Sequence, residues 1–262
     1  MNWNLLTVTI FELKRYLYSS RIVLLLLVST IPTLFYLQFA IKEATTISDV
    51  EGTELKHTLL GILVYFSHFI ATLIGILVIS DIVAGERSLD MLLTSPTSRV
   101  TILGGKTLAA FLIVSLSIFF CFLSSYAVFI AIADLPSIEW LGRAFVITII
   151  LVAFPLTISL LFSVIALLSR DLTPSSASYV PLFLFFIIPF IVWTSVILRY
   201  FQSEMTDYTY LGWVDRILGF EFQMNQTTRE QYELALYLIS SLTVICFLIA
   251  VLIFRRIEGF VS

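Results

Sequence analysis

Six long apolar runs constrain the fold of this chain more than any other feature of its sequence. They cover residues 22–41, 59–80, 107–133, 144–168, 179–198 and 233–254. A helix needs about 20 apolar residues to cross the hydrocarbon core of a bilayer, and each run is long enough. Inside a bilayer every backbone amide has to be satisfied within the protein, so such runs cross it as helices. The sequence therefore predicts an all-α polytopic membrane protein with six transmembrane helices.

The composition agrees with this class. The chain is 59% hydrophobic, its mean hydropathy is +1.02, and only 13% of its residues are charged, whereas about 25% is usual in soluble domains. We expect one transmembrane domain over residues 1–262, with an interfacial helix at 1–21, the six spans within 22–254 and a tail at 255–262. The first run is too long for a signal peptide, so it is predicted to be a retained span. No basic cluster points to nucleic acid, and the two cysteines lie inside apolar runs, where they indicate neither a disulfide nor a metal site.

The N-terminal segment carries an apolar stripe at helical spacing. Its members are Trp3, Leu6, Ile10, Leu13 and Leu17. The charged residues that lie off this stripe are Glu12, Lys14, Arg15 and Arg21. The pattern predicts an amphipathic helix in the headgroup plane, with Trp3 as an interfacial anchor. Packing of this helix against the spans is the alternative.

The longest loop, residues 199–232, is rich in aromatic side chains. Its segment 210–220 is too short to span a bilayer and too apolar for a free loop. We therefore expect an interfacial or re-entrant segment there, before the last span.

The stretch between the second and third runs, residues 81–106, is dense in charge. Within it, residues 86–93 are predicted to form a short helix in which Leu89, Leu92 and Leu93 share one side. A few polar residues would be enough to turn the chain round. The stretch is therefore either a solvated amphipathic turn or a contact surface for a soluble partner.

Pro96 ends this short helix, because the residue before a proline is pushed out of the α region. Thr97 or Ser98 can then cap the helix that re-enters the membrane. At the end of the stretch, residues 103–107 (LGGKT) look like the end of a phosphate-binding loop. That motif needs a glycine where this chain has Val100, and it does not precede a membrane span. Lys106 is therefore interpreted as a cation that snorkels to the interface.

The same stretch resembles the loop after the second span in permease subunits of type-2 ABC exporters. That family shows an acidic residue, a small hydroxyl residue, Leu, a second acidic residue, a Leu-rich turn, Pro, Ser-Arg and a Lys before the third span. The matching positions in this chain are Glu86, Ser88, Leu89, Asp90, Leu92, Leu93, Pro96, Ser98, Arg99 and Lys106. The glycine that is common before the hydroxyl residue is Arg87 here.

In that family the loop is the coupling helix that docks on the ATPase. The resemblance implies an ATPase-coupling role for Glu86, Arg87, Ser88, Leu89, Asp90, Leu92, Leu93, Pro96 and Arg99. It also implies an ATP-driven exporter in which two permease copies form the substrate route and two copies of a separate ATPase power it. ATP and magnesium would bind the ATPase. This chain would then be no enzyme and would hold no cofactor or metal of its own.

Two other classes stay open: an ATP-independent secondary transporter or lipid scramblase, and an intramembrane enzyme. Ionisable residues inside spans mark ion coupling or catalysis, and these spans contain almost none. His68 is the clear exception, and no second ligand completes a metal site beside it. Tyr65, His68 and Thr72 fall near one face of the second run, together with Gly75. That face either packs against another helix or lines a substrate route between two permease copies.

Basic residues set the predicted orientation. Nine Lys and Arg lie at the two termini and in the loops after the second and fourth runs, against six in the other loops. Both termini and the coupling loop are therefore predicted to be cytoplasmic, in a multi-pass protein of the cell membrane. The sequence leaves open the substrate and whether the permease dimer is a homodimer or a heterodimer.

Overall fold

The computed structural model describes residues 4–18, 52–84, 98–132, 138–168, 174–187, 210–222 and 227–256. All regular elements within these ranges are helices. In chain order they are α1 (Leu5–Leu17), α2 (Gly52–Ala84), α3 (Arg99–Ile132), α4 (Ile138–Leu168), α5 (Pro174–Leu182, continued by a π-helix over Phe183–Ile187), α6 (Tyr210–Glu221) and α7 (Arg229–Arg256). The prediction of an all-α protein is confirmed for this part of the chain.

Four of the described helices are long and apolar enough to cross a membrane. Their candidate spans are Leu63–Val83 in α2, Val100–Ser124 in α3, Leu141–Leu167 in α4 and Arg229–Arg255 in α7. They correspond to the second, third, fourth and sixth apolar runs. The first run lies outside the described residues and the fifth is described only in part, so the count of six spans stays a prediction.

Helix α2 lies at the centre of the described bundle. It packs against α3, α4 and α5, and α4 in turn packs against α7. In the α2 span 71% of the residues are buried inside the protein, against 17% in the α7 span. The side chains that α7 leaves exposed are mostly apolar, among them Val244, Leu248 and Leu252. This distribution suits a bundle whose outer helix faces lipid, where apolar side chains need no protein partner.

Local capping fixes where two of the spans begin. The Ser98 hydroxyl oxygen accepts a hydrogen bond from the Thr101 amide at 3.2 Å, so Ser98, one of the two predicted caps, is the N-cap of α3. Thr228 and Gln231 form a reciprocal capping box at the start of α7. Because α3 starts at Arg99, its first two turns lie ahead of the apolar run that begins at residue 107.

Candidate functional site

Helix α1 packs closely against the first turns of α3. Its buried face is formed by Val8, Thr9 and Glu12. The Thr9 hydroxyl donates a hydrogen bond to the Gly105 carbonyl oxygen at 3.2 Å. A methyl group at Gly105 would lie 2.6 Å from Cβ of Val8 and 3.1 Å from the Leu5 carbonyl oxygen, which is closer than side chains tolerate. Only glycine at position 105 therefore allows α1 to approach α3 this closely.

The buried face of α1 is not the apolar stripe predicted from the sequence. Leu6, Ile10 and Leu17 of that stripe are 62%, 43% and 38% exposed. The spacing of apolar residues does not reveal the packed face, because two of its three members are Thr9 and Glu12. Threonine and glutamate are usually solvated. The alternative, packing against a span, therefore holds for one side of α1. Of the described stripe residues, these three remain on the surface, whereas Leu13 packs partly against the core. Trp3 lies outside the described residues, and the position of α1 in the headgroup plane stays a prediction.

Lys106 is buried at the junction of α1, α2 and α3. Its Nζ lies 2.9 Å from Oε1 of Glu12 and donates a hydrogen bond to the Ile82 carbonyl oxygen at 2.7 Å. The side chains of Lys106 and Glu12 are only 2% and 1% exposed. Arg15 completes the group, because its Nη1 lies 3.0 Å from Oε2 of Glu12. Both carboxylate oxygens of Glu12 therefore face a cation.

This geometry shows that the snorkelling interpretation of Lys106 was wrong. The ammonium group points into the protein because a carboxylate and a helix-end carbonyl compensate for its desolvation there. Ile82 lies in the last turn of α2, where carbonyl oxygens have no donor within the helix and where the helix dipole favours a cation. Sequence reasoning missed the pair because Glu12 and Lys106 are far apart along the chain.

The polar face of α2 is also buried within a single chain. His68 and Thr72 are 1% and 2% exposed, and Tyr65 is half-buried. The His68 ring makes edge contacts with Tyr65, with ring centroids 5.5 Å apart, and with Tyr210 of α6, at 6.4 Å. In this chain the predicted route residues thus lie beneath α6, and their role in a substrate route stays a prediction.

Helix α6 is attached to the bundle through Tyr210. Pro155 lies inside α4 and has no amide hydrogen, so the Leu151 carbonyl, four residues earlier, lacks its helical donor. The Tyr210 hydroxyl donates to that carbonyl oxygen at 2.8 Å. Phe154 and Phe185 enclose the Tyr210 ring, with centroids 5.8 Å and 5.2 Å from it. The segment predicted to be interfacial or re-entrant is therefore helical; it packs mainly against α7 and bonds to α4 through Tyr210. Its depth in the membrane stays a prediction.

The comparison with protein families settles what kind of chain carries this arrangement. A family model described as "ABC-2 family transporter protein" matches residues 6–256, which is nearly the whole chain. This chain belongs to the ABC-2 transporter family. The resemblance to type-2 ABC permeases is confirmed, and the chain is a multi-pass membrane protein. Membership in this family implies association with an ABC ATPase. No curated protein matches the sequence.

The coupling residues predicted for this ABC-2 permease lie almost entirely outside the described residues. Those outside are Glu86, Arg87, Ser88, Leu89, Asp90, Leu92, Leu93 and Pro96. Arg99 is the first residue of α3, and the structure describes its backbone but not its side chain. What the structure does describe is how the two flanking helices are held, because Lys106 of α3 bonds to the last turn of α2.

Neither cysteine of the permease is in a disulfide. Cys121 and Cys246 are both buried, and Cys121 Sγ lies 3.1 Å from the Ser67 hydroxyl oxygen. They pack as small side chains within the helices. Among the residues that the structure describes, no group of three His, Cys, Asp or Glu side chains could hold a metal ion.

Proposed function

We propose that this ABC-2 permease is the transmembrane subunit of an ATP-driven exporter. Two permease copies would form the substrate route, and two copies of a separate ATPase would supply the energy. The observation that carries this proposal is the family match over residues 6–256. It includes the charged stretch whose residue order resembles the coupling loop of type-2 exporters.

The coupling segment, residues 86–96, would dock on the cytoplasmic ATPase. Leu89 and Leu92 would supply apolar contacts for a groove on the ATPase, and the charges of Glu86, Arg87 and Asp90 would fix its register at the rim. With six spans, the termini would then lie on the same, cytoplasmic side of the cell membrane. ATP and magnesium bind the ATPase in this scheme, and the permease contributes no catalytic residue.

Six spans per copy would enclose the route. Residues 22–41, which lie outside the described residues, and residues 179–198, which are described only in part, would add two spans to the four described ones. Tyr65, His68 and Thr72 would serve the route if the α6 helix that covers them moves during transport.

The experiment is a pull-down of the ATPase with a permease in which Leu89 and Leu92 are both changed to alanine. We expect ATPase binding to fall at least tenfold while the amount of permease in the membrane is unchanged, because these side chains would face neither lipid nor the bundle. The matched control is a double alanine variant of Leu248 and Leu252, which are 53% and 60% exposed on α7. This control removes the same number of carbon atoms and should bind the ATPase normally.

A Glu86→Lys variant should show a smaller effect that changes with salt concentration, since exposed charges are screened. Normal ATPase binding and normal membrane abundance of the double alanine variant of Leu89 and Leu92 would contradict the coupling role. Failure of the unmodified permease to retain any ATPase would contradict the exporter proposal itself and favour an ATP-independent transporter or scramblase.

A further inference from the structure

The buried ion pair between Glu12 and Lys106 lies where α1 packs against the start of α3, beside the end of α2. Lys106 is on α3, which follows the segment, and it bonds to the Ile82 carbonyl of α2, which precedes it. It also pairs with Glu12 of α1. We propose that Glu12 and Lys106 are positioning residues that hold α1, the end of α2 and the start of α3 as one unit, through which the coupling segment acts. This inference rests on the proposed function.

The chemistry of the pair indicates that it fixes the relative positions of the three helices and does more than stabilise the fold. Removing two charges from water has a large free-energy cost, and apolar side chains of similar volume often stabilise such a contact equally well. A methionine at position 106 could fill the space, but it could not donate a hydrogen bond to the Ile82 carbonyl. The ion pair therefore adds a fixed geometry between three helices that apolar packing would not specify.

The contacts around the pair limit how α1 can move. Thr9 bonds to the Gly105 carbonyl, and the α1 backbone at Leu5 lies against Gly105 itself. A force on the coupling segment would therefore be transmitted to α2 and α3 together instead of bending the chain at either end. Because α2 is the most buried of the described spans, displacement of its end would reach the centre of the bundle.

The test uses the full permease in lipid nanodiscs together with the ATPase that co-purifies with it. Two quantities are measured for each variant: the Kd for the ATPase and the increase in ATP hydrolysis over the ATPase alone. In the main variant, Glu12→Leu and Lys106→Met are combined, so that neither charge is left buried without its partner. The matched control is Lys14→Met, because Lys14 is an exposed lysine on α1, the helix that carries Glu12.

We expect the double variant to reach wild-type abundance and to bind the ATPase within twofold of the wild-type Kd, but to lose at least two thirds of the stimulation of ATP hydrolysis. The Lys14→Met control should match the wild type in both quantities. If the pair only stabilises the fold, the double variant should stimulate ATP hydrolysis as strongly as the wild type. That result would overturn the proposal.

A second variant keeps the test decisive if the double variant accumulates poorly. Glu12→Asp retains the charge but shortens the side chain by one methylene group, so it cannot reach Lys106 and Arg15 in the same geometry. We expect normal abundance and Kd with stimulation reduced at least twofold, and unchanged stimulation would overturn the proposal. Absence of ATPase binding by the wild type would instead refute the proposed function, so the two failures are distinguishable.

Discussion

A single methyl group added at Gly105 should separate α1 from α3, whereas the same change at Gly104 should not. At Gly105 the new methyl would lie 2.6 Å from Cβ of Val8 and 3.1 Å from the Leu5 carbonyl, and neither atom can move without the α1 backbone. At Gly104 the nearest atom is Cδ1 of Leu5 at 2.8 Å, at the end of a flexible side chain that is 45% exposed. That side chain can rotate away.

The magnitude follows from the difference between the two variants. Both gain about 1 kcal/mol of helix propensity on Gly→Ala substitution, so this contribution cancels in the comparison. Overpacking a contact that cannot relax costs about 1–3 kcal/mol. The Gly105→Ala permease should therefore have an α1–α3 contact that is weaker than in Gly104→Ala by this amount. An equilibrium for release of α1 would shift by roughly 5- to 150-fold.

The assay measures thiol labelling of a cysteine placed at Thr9, which is 3% exposed in the α1–α3 contact. Cys121 and Cys246 are changed to alanine so that no other thiol reacts. Labelling should be faster in the Gly105→Ala background than in Gly104→Ala by the factor given above. Equal labelling rates in the two backgrounds would refute the close approach of α1 to Gly105.

Two further predictions concern α6 and the orientation of the permease. Tyr210→Phe should destabilise the detergent-solubilised permease by about 1–3 kcal/mol, because it leaves a buried carbonyl without a donor. Most of this loss should disappear in a Pro155→Ala background, where the helix supplies an amide for that carbonyl, and equal losses in both backgrounds would show that the hydroxyl is not the donor that matters. For orientation, a cysteine at Thr46 should react with a membrane-impermeant thiol reagent in intact cells, whereas one at Ser88 or Ser262 should not. Labelling of Ser88 from outside would reverse the predicted topology.

The sequence was sufficient to predict the helical class and the approximate positions of the described spans. Apolar runs at residues 59–80 and 144–168 lie within α2 and α4, but both helices extend further, to Gly52–Ala84 and Ile138–Leu168. The additional turns of α2 and α4 could not be predicted from hydropathy, because helical turns outside the bilayer do not need apolar residues. Family resemblance predicted the class of transporter, and the family match confirms it.

The packed polar contacts were beyond prediction from sequence. Pro155 predicts that a backbone carbonyl in α4 lacks its helical donor, but nothing in the sequence indicates that the Tyr210 hydroxyl donates to it. Glu12 and Lys106 read separately as surface charges, and only the fold brings them together. The pair of glycines before Lys106 was the available signal, since adjacent small residues allow two helices to approach closely. In the sequence, however, the pair resembles only the end of an incomplete phosphate-binding loop.

In the proposed mechanism a separate ATPase powers this permease, so nucleotide should bind to the ATPase and not to the permease. Binding of a fluorescent ATP analogue would be measured for the purified permease alone and for the complex that co-purifies from the membrane. We predict no saturable binding by the permease alone, because position 100 is valine where a phosphate-binding loop needs glycine. The complex should contain equal numbers of permease and ATPase chains and should bind and hydrolyse ATP. Saturable binding by the permease alone, or purification of a functional transporter without any ATPase, would show that no separate ATPase powers this permease.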